Sequence, residues 1–339
     1  MVTRGLDVTT GRDNPTVQAT DLAVPGALVN DVLNTAPSLA PTTPQEIITE
    51  LVLGFPGLTQ GQDLSQAGFA LNAKPTTIFL WIGSNDALLA DQKGMPSKMT
   101  STANFTAQYT ALIQYLTTKT SAHLVIGNIP DVTALPYLQP ATTVLAENSA
   151  SSSLSVATLS TTLGIQAGDF VNPTGVAEIP NILAGTQMGP IDDAGVLSAA
   201  EVTAVQAQVV AYNAVIAQKA QAAGATLVDI NALFASIAAN GLTVNGVKGT
   251  SAFLGGFFSL DGVHPTDTGY AVIANAFIDT MNKAFGKTTP DVDLSATATA
   301  DPLWPPNIKV QGMSSHAMLM PANAGQALDA ILVKDGGAK

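Results

Sequence analysis

Apolar and polar positions along this chain form two kinds of block, which alternate over most of its length. Short apolar or alternating runs are typical of β-strands, and they predict strands at residues 16–24, 76–82, 124–129 and 225–230. Apolar positions at the helical period predict helices at residues 28–33, 101–118, 198–223 and 270–285. Strands that alternate with helices indicate an α/β fold, in which a mostly parallel sheet is covered by helices on both faces.

Two of the predicted helices carry clear signatures. The helix at 198–223 begins with Ser198-x-x-Glu201, which is a capping box. The helix at 101–118 places four large apolar side chains on one face, namely Phe105, Tyr109, Leu112 and Leu116. Both segments are therefore expected to cover the sheet.

Two segments interrupt the alternation. Residues 140–197 are long and rich in Ser and Thr at first, which predicts an insertion, either a lid or substrate wall over a site or a plain surface excursion. Residues 287–307 are rich in Thr, Asp, Ala and Pro and predict an extended linker, followed by a tail with a short helix at 322–333. We therefore predict one domain at residues 1–286 and a linker with a C-terminal tail at 287–339.

The composition narrows the classes of partner. Charged residues make up 11% of the chain, against about 25% in an average domain. The small polar residues that must then cover the surface are typical of secreted proteins, which favours an extracytoplasmic location, although the sequence shows no signal peptide. The net charge of −12 argues against nucleic acid and anionic membranes as partners.

Several other classes are disfavoured by what the chain contains. No apolar run approaches the ~20 residues that a membrane-spanning helix needs. The chain has no cysteine and 3 widely spaced histidines, so neither disulfides nor a thiolate or histidine-rich metal site is expected. We predict neither a metal nor another cofactor.

The first candidate for chemistry is Asp261-Gly262-Val263-His264-Pro265, just before the last predicted helix. Histidine is the usual general base near neutral pH, and a carboxylate that holds its ring in one tautomer improves it. The three-residue step lets Asp261 reach one ring nitrogen of His264, while the other faces a cleft. The alternative is a surface turn in which Asp261 caps the loop. Thr266 is the predicted N-cap of the helix that follows.

The second candidate is Gly83-Ser84-Asn85-Asp86, which ends the strand predicted at 76–82. Gly83 permits a sharp turn, and Asn85 offers a neutral N–H donor that suits a tetrahedral oxyanion. The alternative is that Asn85 and Asp86 only cap the next segment. If Asn85 faces the cleft, Ser84 should point elsewhere, and no G-x-S-x-G elbow surrounds that serine.

A third candidate is Gly26, which follows the strand predicted at 16–24 and precedes the helix predicted at 28–33. Its backbone N–H at a helix N-terminus would be a second oxyanion donor. A Pro-Gly pair after a strand is also an ordinary turn signal.

In this order the three pieces resemble the GDSL or SGNH hydrolase family, most specifically over residues 80–86 and 258–266. The resemblance extends from about residue 14 to 285. It implies a three-layer α/β/α sandwich with a flavodoxin-like sheet, and hydrolysis of small carboxylic esters through an acyl-enzyme. It also implies that Gly26 and Asn85 form the oxyanion hole, that His264 is the general base and that Asp261 orients it.

The chain departs from the family in its first block. That block carries the nucleophilic serine in a Gly-Asp-Ser step after the first strand, and no such step occurs here. Ser84 and Ser259 are the candidate nucleophiles that remain. Two explanations are open: the true start of the gene lies upstream of Met1, which we favour, or the chain binds esters or glycans without cleaving them.

The missing block also predicts a gap in the sheet. In the flavodoxin-like order 2-1-3-4-5 the first strand lies between the second and third, which here would be residues 16–24 and 76–82. Unpaired backbone groups in such a slot cost about 1–3 kcal/mol each, so we expect something to fill it. The candidates are residues 2–9, residues 327–333, a second copy of the chain by strand exchange, or direct pairing of the two flanking strands.

Overall fold

The computed structural model of the protein describes residues 19–38, 40–54 and 64–308. The expectations for residues 2–9, 322–333 and 327–333 lie outside these ranges. The helices are α1 Asp31–Asn34, α2 Pro44–Leu53, α3 Gln66–Asn72, α4 Ser84–Lys93, α5 Thr102–Lys119, α6 Ala141–Ser151, α7 Val156–Leu163, α8 Pro173–Leu183, α9 Ala199–Ala222, α10 Ile230–Asn240, α11 Asp267–Phe285 and α12 Leu294–Ala300. The strands are β1 Thr77–Trp81, β2 His123–Gly127, β3 Gln139–Pro140, β4 Phe170–Val171, β5 Val196–Leu197, β6 Thr226–Val228, β7 Leu242–Val244 and β8 Val247–Gly249.

The central sheet has the order β1-β2-β6 and is parallel throughout. Thr77 pairs with His123 and Ile126 pairs with Leu227, which sets the register. Helix α11 covers one face, where Ile273 packs against Val125, and α5 and α9 cover the other. The predicted α/β fold with helices on both faces of a parallel sheet is therefore confirmed.

The two helices with clear signatures form where the sequence predicts them. The capping box of α9 is complete, because Ser198 accepts from the backbone of Glu201 while the Glu201 carboxylate accepts from Ser198 N. All four apolar residues on the predicted face of α5 are buried. Local signals were sufficient here because packing and propensity favour the same structure.

The N-terminal predictions are wrong in the part that the structure describes. Residues 19–24 form no strand, and only α1 forms where a helix was expected at 28–33. Leu22 and Val24 instead pack with Leu53 and Phe69 in a small apolar cluster. Side-chain packing thus replaces the strand pairing that the alternating pattern indicates. The expected direct pairing of residues 16–24 with β1 does not form in the described part, residues 19–24.

Strand β1 is correctly placed by the sequence, but it is not fully buried as expected. Phe79 is 56% exposed, whereas its neighbour Leu80 is 8% exposed. The reason is that β1 is the outermost strand of the described sheet, with β2 on one side only. Its backbone groups alternate in direction, and Thr76 O accepts from His123 N, so Thr77, Phe79 and Trp81 direct theirs away from β2.

The segment predicted as an irregular insertion is a compact unit. Residues 139–197 contain α6, α7 and α8 and the antiparallel sheet β3-β4-β5, around a separate apolar core. The side chain of Asn172 anchors this unit by donating to Asp91 O, near the C-terminal end of α4. Its role as a lid or substrate wall stays a prediction.

Residues 287–307 also differ from the predicted extended linker. They include α12, in which Ala298 is fully buried, and Trp304, which is 2% exposed and packs against Phe257. The Asp301 carboxylate accepts from the backbone and hydroxyl of Thr268 at the start of α11. The main core thus continues beyond residue 286, because a few buried side chains in a polar segment are enough to dock it.

Candidate active site

The chain direction of α11 places His264 at the carboxyl end of the parallel sheet. Phe285, the last residue of α11, contacts His123, the first residue of β2. The helix therefore runs antiparallel to the strands, and its N-terminus lies at the end of the sheet where β1 leads into Gly83. As predicted, Thr266 is the N-cap, accepting from Gly269 N at 3.1 Å.

Asp261 and His264 form the hydrogen bond that their spacing predicts. Nδ1 of His264 lies 2.7 Å from Oδ2 of Asp261. The second carboxylate oxygen, Oδ1, accepts from Ser259 Oγ at 2.7 Å and from the backbone N–H groups of Val263 and His264 at 2.9 Å. The His264 side chain is 40% exposed, and its Nε2 makes no hydrogen bond to a described residue.

The electrostatics of Asp261 favour its ionised form. Burial acts to raise its pKa, but the hydrogen bonds from His264, Ser259 and Val263 outweigh burial and lower the pKa to about 2. The carboxylate is therefore charged at neutral pH. A charged partner at Nδ1 is what an imidazole needs when it accepts a proton at Nε2.

Gly83 turns the chain from β1 into α4. Its φ of 117° lies in the region that favours glycine, and a Cβ atom there would come within 3.1 Å of the Phe105 ring. Ser84 and Asn85 are the first two residues of α4, and both are half-buried. The turn thus sets Asn85 at the carboxyl end of the sheet.

Asn85 and Asp86 hold the loop that contains Gly26. Asn85 Nδ2 donates to Ala27 O at 2.9 Å, and Val29 N donates to Asp86 Oδ2 at 3.0 Å. Gly26 lies in a turn closed by Ala27 N and Val24 O, with a φ of 75°. The expectation that Gly26 begins a helix is therefore wrong, because the first helix starts at Asp31.

The importance of Asp86 was missed by sequence reasoning. Asp86 is fully buried and also accepts from Thr100 Oγ1 at 2.7 Å. Burial raises its pKa to about 6, against the lowering effect of the bonds from Thr100 and Val29. The only sequence signal was its position next to Asn85, since its partners are distant in the chain.

The structure thus joins Asn85 to the loop that contains Gly26, through Ala27 O, and Asp261 to His264. No hydrogen bond within the described ranges joins one pair to the other. Tyr137 N donates to Gly262 O, and this contact connects the Asp261 loop to the segment after the one-turn helix Val132–Ala134, which packs on α4. Convergence of Gly26, Asn85 and His264 on one cleft stays a prediction.

The two candidate serines differ in their surroundings. The Ser259 hydroxyl donates to Asp261 and not to His264. Ser84 makes no side-chain hydrogen bond to another described residue. Among residues 19–38, 40–54 and 64–308, no cluster of three or more acidic or histidine side chains is arranged to hold a metal ion.

Comparison with known proteins gives one positive result. Searches of curated proteins and of solved structures each found no significant match. The described helices include none that is long and apolar enough to cross a bilayer. The family model of GDSL-like lipases and acylhydrolases matches residues 2–277, which is most of the chain. Together with the parallel sheet, this match shows that the chain belongs to the GDSL-like lipase/acylhydrolase family.

Proposed function

We propose that this protein is a carboxylic-ester hydrolase that works through an acyl-enzyme. The observation that carries the proposal is the 2.7 Å bond from His264 Nδ1 to an ionised Asp261, in a side chain that is 40% exposed. Family membership supports ester hydrolysis in general. We further propose that the substrate is a small ester.

In the proposed first step, Nε2 of His264 takes the proton of a nucleophilic hydroxyl as its oxygen bonds to the ester carbon. The carbonyl oxygen becomes an oxyanion. Asn85 has two amide N–H groups, one of which donates to Ala27 O, so the other is available to the oxyanion. Gly26 N, which donates to no described residue, would be the second donor.

The imidazolium then gives its proton to the leaving alcohol, and the acyl group remains on the hydroxyl oxygen. Water attacks this acyl-enzyme in the second half, His264 accepts a proton from the water, and the proton returns to the nucleophile as the acid leaves. Asp261 stays ionised throughout and stabilises the imidazolium. Two exposed side chains, Leu260 next to Asp261 in sequence and Tyr270 within reach of its charge, would contact the acyl or alcohol group.

The test is hydrolysis of p-nitrophenyl acetate by the chain, by His264→Ala and by Asn85→Ala. Without an efficient nucleophile we expect only residual catalysis, on the order of 10³–10⁴ over water. If no other residue replaces the family serine, His264→Ala should leave this residual rate nearly unchanged, whereas Asn85→Ala should reduce it by about 10²–10³ or to the background rate. Hydrolysis that is equal in all three proteins would contradict the proposal.

The same experiment addresses the nucleophile. Robust turnover that His264→Ala removes would show that another residue has taken the role of the family serine. A fluorophosphonate probe followed by peptide mapping would identify that residue, with Ser84 tested first and Ser259 second. Labelling that is lost in His264→Ala would tie the nucleophile to this base.

A second candidate function is binding of esters or glycans without cleavage. It is favoured by the Ser259 hydroxyl, which donates to the carboxylate instead of the imidazole. Binding of a non-hydrolysable ester analogue, together with no turnover and no fluorophosphonate labelling, would support this alternative. Turnover that depends on His264 would exclude it.

We also propose that nucleic acid is not a partner, because the net charge of the chain is −12.

We propose further that a second copy of the chain pairs with the outer edge of β1. The edge of Thr77–Trp81 carries no charged side chain to discourage pairing. In an antiparallel two-fold pairing Phe79 would lie opposite its own copy, which pairs two exposed aromatic rings.

Light scattering after size-exclusion chromatography tests this pairing. We expect a dimer that Phe79→Lys converts to a monomer, whereas Leu260→Lys, at another exposed apolar position, leaves it a dimer. A monomer at all concentrations would contradict the pairing. A monomer that becomes a dimer only after residues 1–18 or 309–339 are removed would assign the edge to that segment instead.

A further inference from the structure

The hydroxyl of Ser259 is the second candidate for the nucleophile, yet in the structure it contacts the carboxylate that orients His264. It donates to Oδ1 of Asp261 at 2.7 Å, while Oδ2 accepts from the imidazole. The two carboxylate oxygens therefore have different partners, and the serine is one of three donors that occupy Oδ1 and leave Oδ2 to the histidine.

The backbone holds Ser259 in place for this contact. Ser259 N donates to His264 O at 2.7 Å, and Gly262 N donates to Ser259 O at 3.0 Å. Phe258 and Pro265 form a bridge just outside these bonds. Ser259, Asp261 and His264 thus belong to one closed turn, in which the hydroxyl is presented from a fixed backbone.

The carboxylate needs such a contact because its own torsion is weakly restrained. The final torsion of an aspartate has a broad, roughly two-fold preference. The N–H groups of Val263 and His264 also donate to Oδ1. The Ser259 hydroxyl is a third donor on the same oxygen, and it further limits rotation that would move Oδ2 away from Nδ1.

We propose that Ser259 is a positioning residue, whose hydroxyl fixes the rotation of the Asp261 carboxylate so that Oδ2 faces Nδ1 of His264. Its consequence for hydrolysis rests on the proposed function, but its effect on Asp261 does not. This role also accounts for the direction of the hydroxyl, since a nucleophile would direct its proton to the imidazole. The Ser259 bond is one of those that keep the pKa of Asp261 low.

The direct test is a carboxyl ¹³C NMR titration of Asp261 in the full chain and in three variants. Ser259→Ala removes the donor, Ser259→Cys leaves a weak one, and Ser259→Thr restores a hydroxyl. We expect the titration midpoint to move upward by roughly one pH unit in Ser259→Ala and by less in Ser259→Cys. Ser259→Thr should titrate like the parent chain.

Ser251→Ala is the matched control, because Ser251 lies in the preceding loop and makes no side-chain hydrogen bond to another described residue. It should leave the midpoint unchanged. The downfield Nδ1 proton of His264 provides a second signature, which should broaden through exchange in Ser259→Ala and sharpen again in Ser259→Thr. If Ser259→Ala does not fold, the Ser259→Cys and Ser259→Thr spectra decide the question.

Two results would overturn the assignment: a parental Asp261 midpoint in a folded Ser259→Ala or Ser259→Cys variant, or fluorophosphonate labelling of Ser259 itself. Where p-nitrophenyl acetate is hydrolysed, kcat should fall about three- to tenfold in Ser259→Ala with KM unchanged. Absence of hydrolysis would count against the proposed function alone, since the NMR titration needs no substrate.

Discussion

The two halves of the candidate site are built in different ways. The base half, residues 258–266, closes on itself through bonds between residues that are at most a few positions apart, such as Asp261 to His264 at 2.7 Å. The oxyanion half joins residues that are far apart in sequence, because Asn85 bonds to Ala27 O and Asp86 accepts from Val29 N. One half is a local turn and the other is a tertiary contact.

This difference determines how each half responds to change. A closed local turn keeps most of its bonds when surrounding structure moves, since its donors and acceptors move together. A contact between distant segments depends on the strand, turn and helix that bring them together. We therefore expect substitutions in the oxyanion half to cost more stability than comparable substitutions in the base half.

The largest effect is expected at Gly83, which directs the chain into α4. Gly83→Ala combines an unfavourable positive φ with a Cβ atom 3.1 Å from the Phe105 ring. We expect a loss of about 2–4 kcal/mol in the free energy of unfolding, measured with urea. Gly224→Ala is the low-cost reference, because its φ of 63° lies in the left-handed helical region that other residues also adopt and no atom lies within 4 Å of the new Cβ. Equal losses would show that neither the φ of 117° at Gly83 nor the Phe105 contact is costly.

A second prediction concerns the pH dependence of the oxyanion half through Asp86. Burial raises the pKa of Asp86 from 3.8 to about 6, so the folded state binds a proton more strongly than the unfolded state. Stability from this group is therefore lost as pH rises from about 4 to 6. Asp86→Asn removes this dependence. As pH rises from 4 to 7, the free energy of unfolding of the variant should therefore increase by about 2–3 kcal/mol relative to that of the parent chain. Parallel stability curves for the two proteins would rule this out.

A smaller effect is expected in the base half at Thr266, the cap of α11. Its hydroxyl accepts from Gly269 N at 3.1 Å and donates to Gly256 O at 2.7 Å. Thr266→Ala should lower the free energy of unfolding by about 1–2 kcal/mol, and Thr266→Ser should restore most of it. A loss larger than that of Gly83→Ala would reverse the comparison between the halves.

The smallest effect is expected from the titration of Asp261. Its pKa is lowered to about 2 in the folded state, so it stabilises the fold above about pH 4, and this contribution is lost as pH falls toward 2. The pH dependence is opposite in sign to that of Asp86. Acid unfolding of Asp261→Asn should be less steep between pH 4 and 2 than that of the parent chain, and an unchanged slope would contradict the assignment.

The sequence predicted best what neighbouring residues decide among themselves. The Asp261-x-x-His264 spacing correctly predicted the carboxylate–imidazole bond, and Thr266 was correctly identified as a cap. The strands and helices with strong periodicity also formed close to their predicted positions. In the turn, the cap and the helices the interacting groups are a turn or two apart, so the local pattern contains the whole interaction.

Predictions were wrong where packing between distant segments opposed a local pattern. Residues 19–24 alternate like a strand but pack as a small apolar cluster with Leu53 and Phe69. Residues 287–307 resemble a linker in composition, yet Trp304 is 2% exposed and held in the main core. One or two buried side chains decided both outcomes, and composition averaged over a segment does not reveal them.

The sequence by itself thus determined the layered α/β fold, the turn that joins Asp261 to His264 and the donor chemistry of Asn85. Only the tertiary structure decided that Asn85 and Asp86 hold the Gly26 loop, that Ser259 bonds to the carboxylate and that β1 is the outermost strand of the sheet as far as the chain is described. The physical reason is that hydrogen bonds within a turn follow from backbone geometry and spacing. Which distant groups meet depends on how the whole core packs.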